Sequence, residues 1–491
     1  MELNQTSICY YDRRLGRTAS CTESTDAIVP DTFPDIGRVV CAYGTAAVKD
    51  QTPQSGRLLI SGTVRTTVLY EPDGDGGLRR LSIPISFAHI EECDGLDADA
   101  VCFVSCKAAS VDATSVNSRK VSVSVQLCFE VEGYQKVTCA VTESVDLPQV
   151  ETRCTPCTVT LVEQAQSCPL TILEDVTLPD AGDLLLLHTT CTLRATECRA
   201  MNGKVELKGE AAVTCLALQE DDAVRMLNST TPFTQILEMP EISEGHTVTA
   251  TLAAREVDCR LEPDGLLSYT ISAAALITMR QMQTVQKIDD LYLPGREVHL
   301  QQENVTVHSM PSPSPFATEV TETLQTAQHV SHVIAASALC CGIKRMGGDD
   351  LQVTTAVHLL YLGDDQKLCS LQRMVPLTVQ CAAKGELSGM ELTARASAAG
   401  EQGLTLTVSI SGQAAEEAHC TFRCITGMET EAVNKPLDGV TLVLRYIDAE
   451  QPLWDIAKAC GTTMEAIRRA NELAADAQNV AQTMLLIPIG V

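Results

Sequence analysis

Basic side chains are scarce in this chain: 36 Lys and Arg face 63 Asp and Glu, for a formal net charge of −27 over 491 residues. Binding to a phosphate backbone draws its free energy from counterions released by clustered Lys and Arg, so nucleic acid is excluded as a partner. No acidic run is long enough to make a dedicated tail, and the charge reads as a solubility device. Long apolar stretches are missing as well. The longest, Val333 to Cys341, falls far short of the roughly twenty residues that a membrane-spanning helix needs. The first twenty residues hold Asp12, Arg13, Arg14 and Arg17 and no apolar stretch of leader length, so export is not expected and the chain reads as cytosolic.

Catalytic signatures are absent too. No GxSxG nucleophile elbow and no GxxxxGK phosphate loop occurs, and Asp289-Asp290 and Asp364-Asp365 read as turn residues. His329 and His332 are three apart without the glutamate of a helical metalloprotease motif, and they read as surface or core histidines. Cys154-Thr155-Pro156-Cys157 has thiol-disulfide spacing, but a redox motif opens a helix after a buried strand, whereas this one reads as a Thr-rich connector. No second CxxC completes a zinc ribbon, and Cys102/Cys106, Cys420/Cys424 and Cys340-Cys341 lack partners at zinc-site spacing. No catalytic residue, cofactor or metal site is expected, so the chain reads as a non-enzyme. The 22 cysteines, scattered through strand-like segments such as those around Cys128 and Cys215, are expected to be reduced thiols acting as small apolar groups.

What the chain does have is repetition. Gly56-Arg57-Leu58 to Leu69-Tyr70 lines up with Gly203-Lys204-Val205 to Leu218 and with Asp350-Leu351-Gln352 to Leu360-Tyr361, a period of about 146 residues. Solenoid repeats run about 20 to 50 residues, so this period means duplicated domains. Pro34-Asp35-Ile36-Gly37 has a counterpart in Pro179-Asp180-Ala181-Gly182. Within the units the apolar residues alternate. Ile60, Val64, Val68 and Tyr70 share one side of a strand, Leu81, Ile83, Ile85 and Phe87 another, and the turn Glu71 to Gly77 makes the two a hairpin. Val121 to Val131 and Leu404 to Ile410 alternate likewise, and one-sided alternation belongs to antiparallel sheets on a single core. The fold class is mainly β: tandem antiparallel β-sandwich or open-barrel domains. A small α+β (βααβ) domain follows. The expected layout is an N-terminal segment over 1–25, β domains over 26–150, 158–300 and 315–436, and the last domain over 441–491.

In that last stretch Val440, Leu442, Leu444 and Tyr446 alternate as a half-buried strand, and Pro452 suits the first position of a helix carrying Leu453, Ile456, Ala457 and Cys460. Gly461 fits the position past its end, Thr462 with Glu465 has capping-box spacing for a second helix, and Met484 to Ile487 form a last strand. Tyr446-Ile447, Leu453-Trp454-Asp455-Ile456-Ala457, Asn471 and Leu485-Leu486-Ile487-Pro488 resemble a lysin motif (LysM). Val29-Pro30-Asp31, Pro34 to Val39, Ile60 to Val64 and Ile83-Pro84 resemble the SPOCS domain (DUF3794). The two together resemble the arrangement of SipL-like spore coat morphogenetic proteins.

That resemblance implies a scaffold in the mother-cell cytoplasm, at the forespore surface and spore coat. It also implies binding through the LysM to the ATP-hydrolysing coat morphogenetic protein and to other coat proteins. The alternative is binding of peptidoglycan through its N-acetyl sugars. A glycan-binding LysM carries Gly-Asp-Ser/Thr ahead of Leu-Trp, where this chain has Glu450, Gln451 and Pro452, and the usual Gly ahead of the last strand is Ala481. Expected contacts therefore fall on two loops, Glu450, Gln451 and Pro452 with Asn479, Val480 and Ala481. Trp454, the one tryptophan, reads as core beside Leu453 and Ile456, as do Ile467, Leu485 and Ile487.

Overall fold

Two features set the architecture: strands with one apolar side, and strands far longer than one sandwich needs. The computed structural model describes all residues except 1, 75–76, 179–183, 220–222, 327, 383, 401–402, 417, 433–439 and 490–491. The first unit comprises β1 (Glu2–Ile28), β2 (Ile36–Gln54), β3 (Arg57–Pro72), β4 (Arg79–Glu92), β5 (Val101–Asn117) and β6 (Lys120–Asp146). It folds into two antiparallel sheets, ordered β1-β6-β5 and β2-β3-β4. The second unit repeats this with β7 (Glu151–Thr177), β8 (Leu185–Met201), β9 (Lys204–Leu218), β10 (Val224–Glu238), β11 (Thr247–Leu261) and β12 (Leu266–Tyr292). Its sheets run β7-β12-β11 and β8-β9-β10.

The third unit keeps the same order but breaks its long strands. Its first strand is split into β13 (Arg296–Ser309) and β14 (Ser314–Gln325), interrupted at Pro311 and Pro313, which have no N–H to give a ladder. β15 (Val330–Gly347), β16 (Asp350–Gly363), β17 (Leu368–Gln380), β18 (Glu386–Ala398), β19 (Gly403–Ala415) and β20 (Ala418–Ala432) complete it. Sheets β14-β19-β18 and β15-β16-β17 match those of the first two units, and β13 pairs with β20.

Each sandwich closes over the residues whose alternation is visible in the sequence. Val121, Val123, Val125, Leu127, Phe129 and Val131 of β6 face Ile60, Val64, Val68 and Phe87 in one core, and Leu404, Leu406, Val408 and Ile410 serve the third. The expected hairpin is β3 with β4, Val64 opposite Ile85 and Val68 opposite Leu81. Its tip includes residues 75–76, outside the described residues. In both of the first two units a glycine lies under an aromatic ring. Gly62 is opposite Phe87 and Gly209 opposite Phe233, and a Cβ on either glycine would sit about 2.5 Å from the ring, at 2.4 and 2.5 Å. The corresponding pair in the third unit is Thr355 and Val375. Pro34 and Asp35 are held by Tyr70 and Arg119: the Tyr70 hydroxyl donates to the Pro34 carbonyl at 3.1 Å, and Arg119 donates to Phe33 O and Asp35. The counterpart Pro179 to Gly182 lies outside the described residues.

At about 3.3 Å per residue, the 27-residue strands β1, β6, β7 and β12 reach roughly 90 Å, beyond any single sandwich. Their outer halves form two-stranded ribbons that pack with β13/β20 around Ile8, Tyr10, Val159, Leu161, Val307 and Phe422. Residues 2–25 therefore lie within β1 and residues 151–157 within β7, so both stretches are paired strand rather than lead-in or connector. Asp289-Asp290 is strand as well, at the end of β12, while Asp364 and Asp365 do occupy the β16–β17 turn. His329, just before β15, meets Asp364 at 2.6 Å, and His332 is in β15, so no helix brings the two histidines together.

The units also meet through the outer sides of their second sheets, where Val40, Leu69, Leu187, Leu216, Leu360 and Leu368 form a shared core. The ring of Tyr43 stands between His188 and His358, with centroid separations of 4.8 and 4.5 Å. Burial pushes His188 down to about 3, helped by His358, and His358 down to about 4. Along one seam every second residue of β17 reaches across to β2. Leu368 O accepts from Arg38, the Ser370 hydroxyl donates to Val40 O at 2.9 Å, and the Gln372 amide donates to Ala42 O at 2.9 Å.

Candidate functional site

The C-terminal residues fold into β21 (Leu442–Ile447), β22 (Gln451–Pro452), α1 (Leu453–Cys460), α2 (Met464–Ala470), β23 (Asn479–Val480) and β24 (Thr483–Pro488), with β21 antiparallel to β24. Helix α1 stops where Gly461 takes φ 63°, a left-handed conformation that costs glycine least. Pro452 is the residue before α1 rather than its first, and α2 is capped by Thr463, one residue after the expected Thr462. The Thr463 hydroxyl accepts from the Ala466 amide at 3.1 Å. Thr462 instead uses its carbonyl elsewhere. Asn471 explains its place in the motif by clamping α2 to β24: its amide donates to Leu486 O at 2.6 Å and its oxygen accepts from Leu486 N at 2.7 Å. Leu453, Ile456, Ile467, Leu485 and Ile487 are buried, as expected.

The face of β21 is the reverse of the expected one. Directly opposed residues in an antiparallel pair share a side, and here Val443 and Ile487, with Leu485 on the same side of the sheet, pack against the helices. Leu442, Leu444 and Tyr446 oppose Pro488, Leu486 and Met484 on the outer side. Leu444 is 63% exposed, and Tyr446 and Met484 are 56% exposed each. An apolar strip on a small polar module marks an interaction site more often than chance exposure does.

The two expected contact loops come together. Gln451 pairs with Val480 and Pro452 with Asn479 across a two-residue bridge, and the Asn479 amide donates to Glu450 Oε1 at 2.9 Å. Glu450, Pro452, Asn479 and Ala481 are exposed, Gln451 is half-buried, and Val480 is buried beneath the bridge. Val480 thus supports the loops from below.

Trp454 is buried, and its ring is turned to the body of the protein. The indole N–H donates to Asp290 Oδ2 at 2.9 Å, the ring meets Tyr292 edge-on at 4.9 Å, and the Arg153 guanidinium lies 5.4 Å over it. Lys458 binds the same carboxylate at 2.7 and 2.8 Å, and the Tyr292 hydroxyl donates to Thr462 O at 2.9 Å. Burial acts to raise the Asp290 carboxyl, but the hydrogen bonds from Lys458 and Trp454 outweigh it and hold it below the ordinary carboxylate value. Arg153, Asp290 and Tyr292 belong to the second-unit ribbon and form a seat for the module. Sequence reading missed them because Asp290 and Tyr292 lie 164 and 170 residues before the residues they hold and Arg153 about twice as far, and nothing in a strand end announces a docking role.

Among the described residues no three His, Cys, Asp or Glu side chains converge as metal ligands would, and no helix is long and apolar enough to cross a membrane. Cys154 and Cys157, three apart on β7, point to opposite sides, which removes the geometry in which one thiol resolves a disulfide of the other. Contrary to the expectation of reduced thiols throughout, Cys157 is joined to Cys420 of β20, which lies beside it in the shared packing of the ribbons.

Comparison with known families places two segments, residues 35–116 and 184–262, in the family described as SipL, SPOCS domain, and residues 452–488 in the LysM domain family. This chain carries two SipL-type SPOCS segments and a C-terminal LysM domain. The matched SPOCS segments run from β2 to β5 and from β8 to β11, leaving out the long first and last strands of each unit. Each includes its glycine–aromatic pair. The third unit, which has Thr355 and Val375 there, is related by strand order rather than by these residues. No curated protein and no solved structure gives a significant match. SPOCS and LysM domains are non-catalytic binding domains of a sporulation-related family and of a peptidoglycan-binding module type.

Proposed function

We propose that this chain is a non-catalytic scaffold of spore coat and envelope assembly, acting in the mother-cell cytoplasm at the forespore surface, and that its LysM domain binds the coat morphogenetic ATPase. The observation that carries this reading is the outer side of the LysM sheet, where Leu442, Leu444, Tyr446 and Met484 are exposed together. An apolar strip suits a protein partner better than a sugar, whose hydroxyls call for polar groups. The adjoining loop residues Glu450, Gln451, Pro452, Asn479 and Ala481 extend that surface with polar contacts. The seated Trp454 supports the reading too, since its ring is engaged by Tyr292 and Arg153 and is not offered to a ligand.

The test is a pull-down of the coat ATPase by the full chain and by a Leu444→Asp/Tyr446→Asp variant. Two anchors that each bury in the complex stabilise it by about 1.5–3 kcal/mol apiece, so retention is expected to fall by two decades or more while folding is unchanged. Equal retention by both proteins would refute the docking surface. Peptidoglycan binding is the second reading, favoured by the LysM match itself. Sedimentation with purified sacculi separates the two, because the sugar reading needs the loops and is indifferent to Leu444 and Tyr446.

A further inference from the structure

Most cysteines here behave as small apolar groups inside a sandwich: Cys102 and Cys106 lie in the first core and Cys168 in the second. Cys128 and Cys341 are different, because they lie between units. On β6 the neighbours Leu127 and Phe129 enter the first core, so Cys128 points outward, and it is buried because the third unit covers it. On β15 the register slips between Cys340 and Gly342, leaving Cys341 as the unpaired residue of a bulge. Cys340 packs against the third core, and Cys341 turns toward the first unit. There Cys341 comes alongside Cys128. Both line a cleft of about 360 Å³ between the first and third units, together with Lys107, Arg17 and Arg345.

We propose that Cys128 and Cys341 are an oxidisable pair whose disulfide, together with Cys157–Cys420, fastens the third unit to both of its neighbours. The second link joins β7 of the second unit to β20 of the third, so the two bonds would tie one unit to two others at separate places. The oxidant is a small-molecule disulfide such as glutathione disulfide, which reaches Cys341 from the cleft. The Cys341 thiolate attacks one sulfur of that disulfide, forming a mixed disulfide and releasing one thiolate. Cys128 then loses its proton and attacks Cys341 Sγ, expelling the second thiolate. Two electrons pass from the protein to the small disulfide, and the two thiol protons end on the two released thiols. Its interaction with Cys128 holds the Cys341 thiol below its ordinary value against the opposing effect of burial, with smaller contributions from the Ala356 backbone and Lys107, which favours Cys341 as the attacking group.

The test incubates the full chain with glutathione disulfide, blocks residual thiols by alkylation and maps linked peptides by mass spectrometry without reduction. The expected result is a peptide linking Cys128 to Cys341, lost in Cys341→Ser and kept in Cys340→Ser. Recovery of Cys128 and Cys341 as alkylated free thiols in a sample where Cys157 and Cys420 are linked would overturn the proposal. So would a Cys340–Cys341 link in place of it, or persistence of the Cys128 link through Cys340 in the Cys341→Ser protein.

Discussion

Replacing Asp290 with Ala should unseat the LysM domain without unfolding it. The carboxylate receives the Trp454 indole N–H at 2.9 Å and the Lys458 ammonium at 2.7 and 2.8 Å. The lysine is 44% exposed, so solvent screening leaves that ion pair about 0.5 kcal/mol. Losing the acceptor of the buried indole N–H costs more, about 1–3 kcal/mol, because the donor is left without a partner. The two together shift the seating equilibrium by roughly 1.5–3.5 kcal/mol, on the order of 10- to 300-fold. The chain holds a single tryptophan, at the site itself, which makes the assay direct. In Asp290→Ala the tryptophan emission should move to the red and acrylamide quenching should rise, with the unfolding midpoint of the β units unchanged. Identical emission and quenching in the two proteins would refute the seat. The pH dependence has a definite sign. The Asp290 carboxyl is held below its ordinary 3.8, so its contribution is present above that value and is lost only as pH falls through the lowered one. Blue-shifted emission should therefore persist down to the ordinary carboxylate range in the native protein.

Gly209→Ala should destabilise the second unit by about 1–3 kcal/mol in urea unfolding, because its Cβ would lie 2.5 Å from the Phe233 ring and 2.6 Å from the Arg194 carbonyl. Phe233→Ala should cost about 3–5 kcal/mol alone, and the double variant should cost less than the sum; strict additivity would deny the contact. His188 and His358 are held neutral, at about 3 and about 4, so an unfolded chain takes up protons that the folded one does not as pH drops below the ordinary 6.5. Stability should fall through that window by on the order of 1 kcal/mol per pH unit per histidine, somewhat less for these half-buried rings, and His188→Phe should halve the slope. An unchanged slope in that variant would place the titrating groups elsewhere.

The sandwiches were legible in the sequence because period-two alternation is a local signal: the apolar sets of β3, β4, β6 and β19 all enter cores. Alternation gives a period, however, and the choice of side depends on what packs against the strand. Around β21 both sets contain apolar residues, and the helices cover the side of Val443 and Ile447, leaving Leu444 and Tyr446 outside. The small module was readable down to Gly461 and Asn471, since caps and clamps are made within a few residues. The ribbons were not, because a 27-residue strand looks locally like a strand followed by a linker, and only its distant partner shows where it ends. For the same reason the seat on Arg153, Asp290 and Tyr292 was invisible. The two contact loops do meet, because Gln451 pairs with Val480 and Pro452 with Asn479 across the short bridge.

Each unit begins with an edge strand whose sole sheet neighbour is made last: β1 pairs only with β6. During synthesis Ile28 leaves the ribosome long before Lys120 and the rest of β6 exist. At about 5–20 residues per second, the nascent β1 waits several seconds or more with both of its ladder edges open. The same delay recurs for β7. Such a chain is most vulnerable to pairing with a neighbouring nascent copy while it is being made, and its expression at high level should depend on rapid completion of each unit or on a chaperone that shields strand edges.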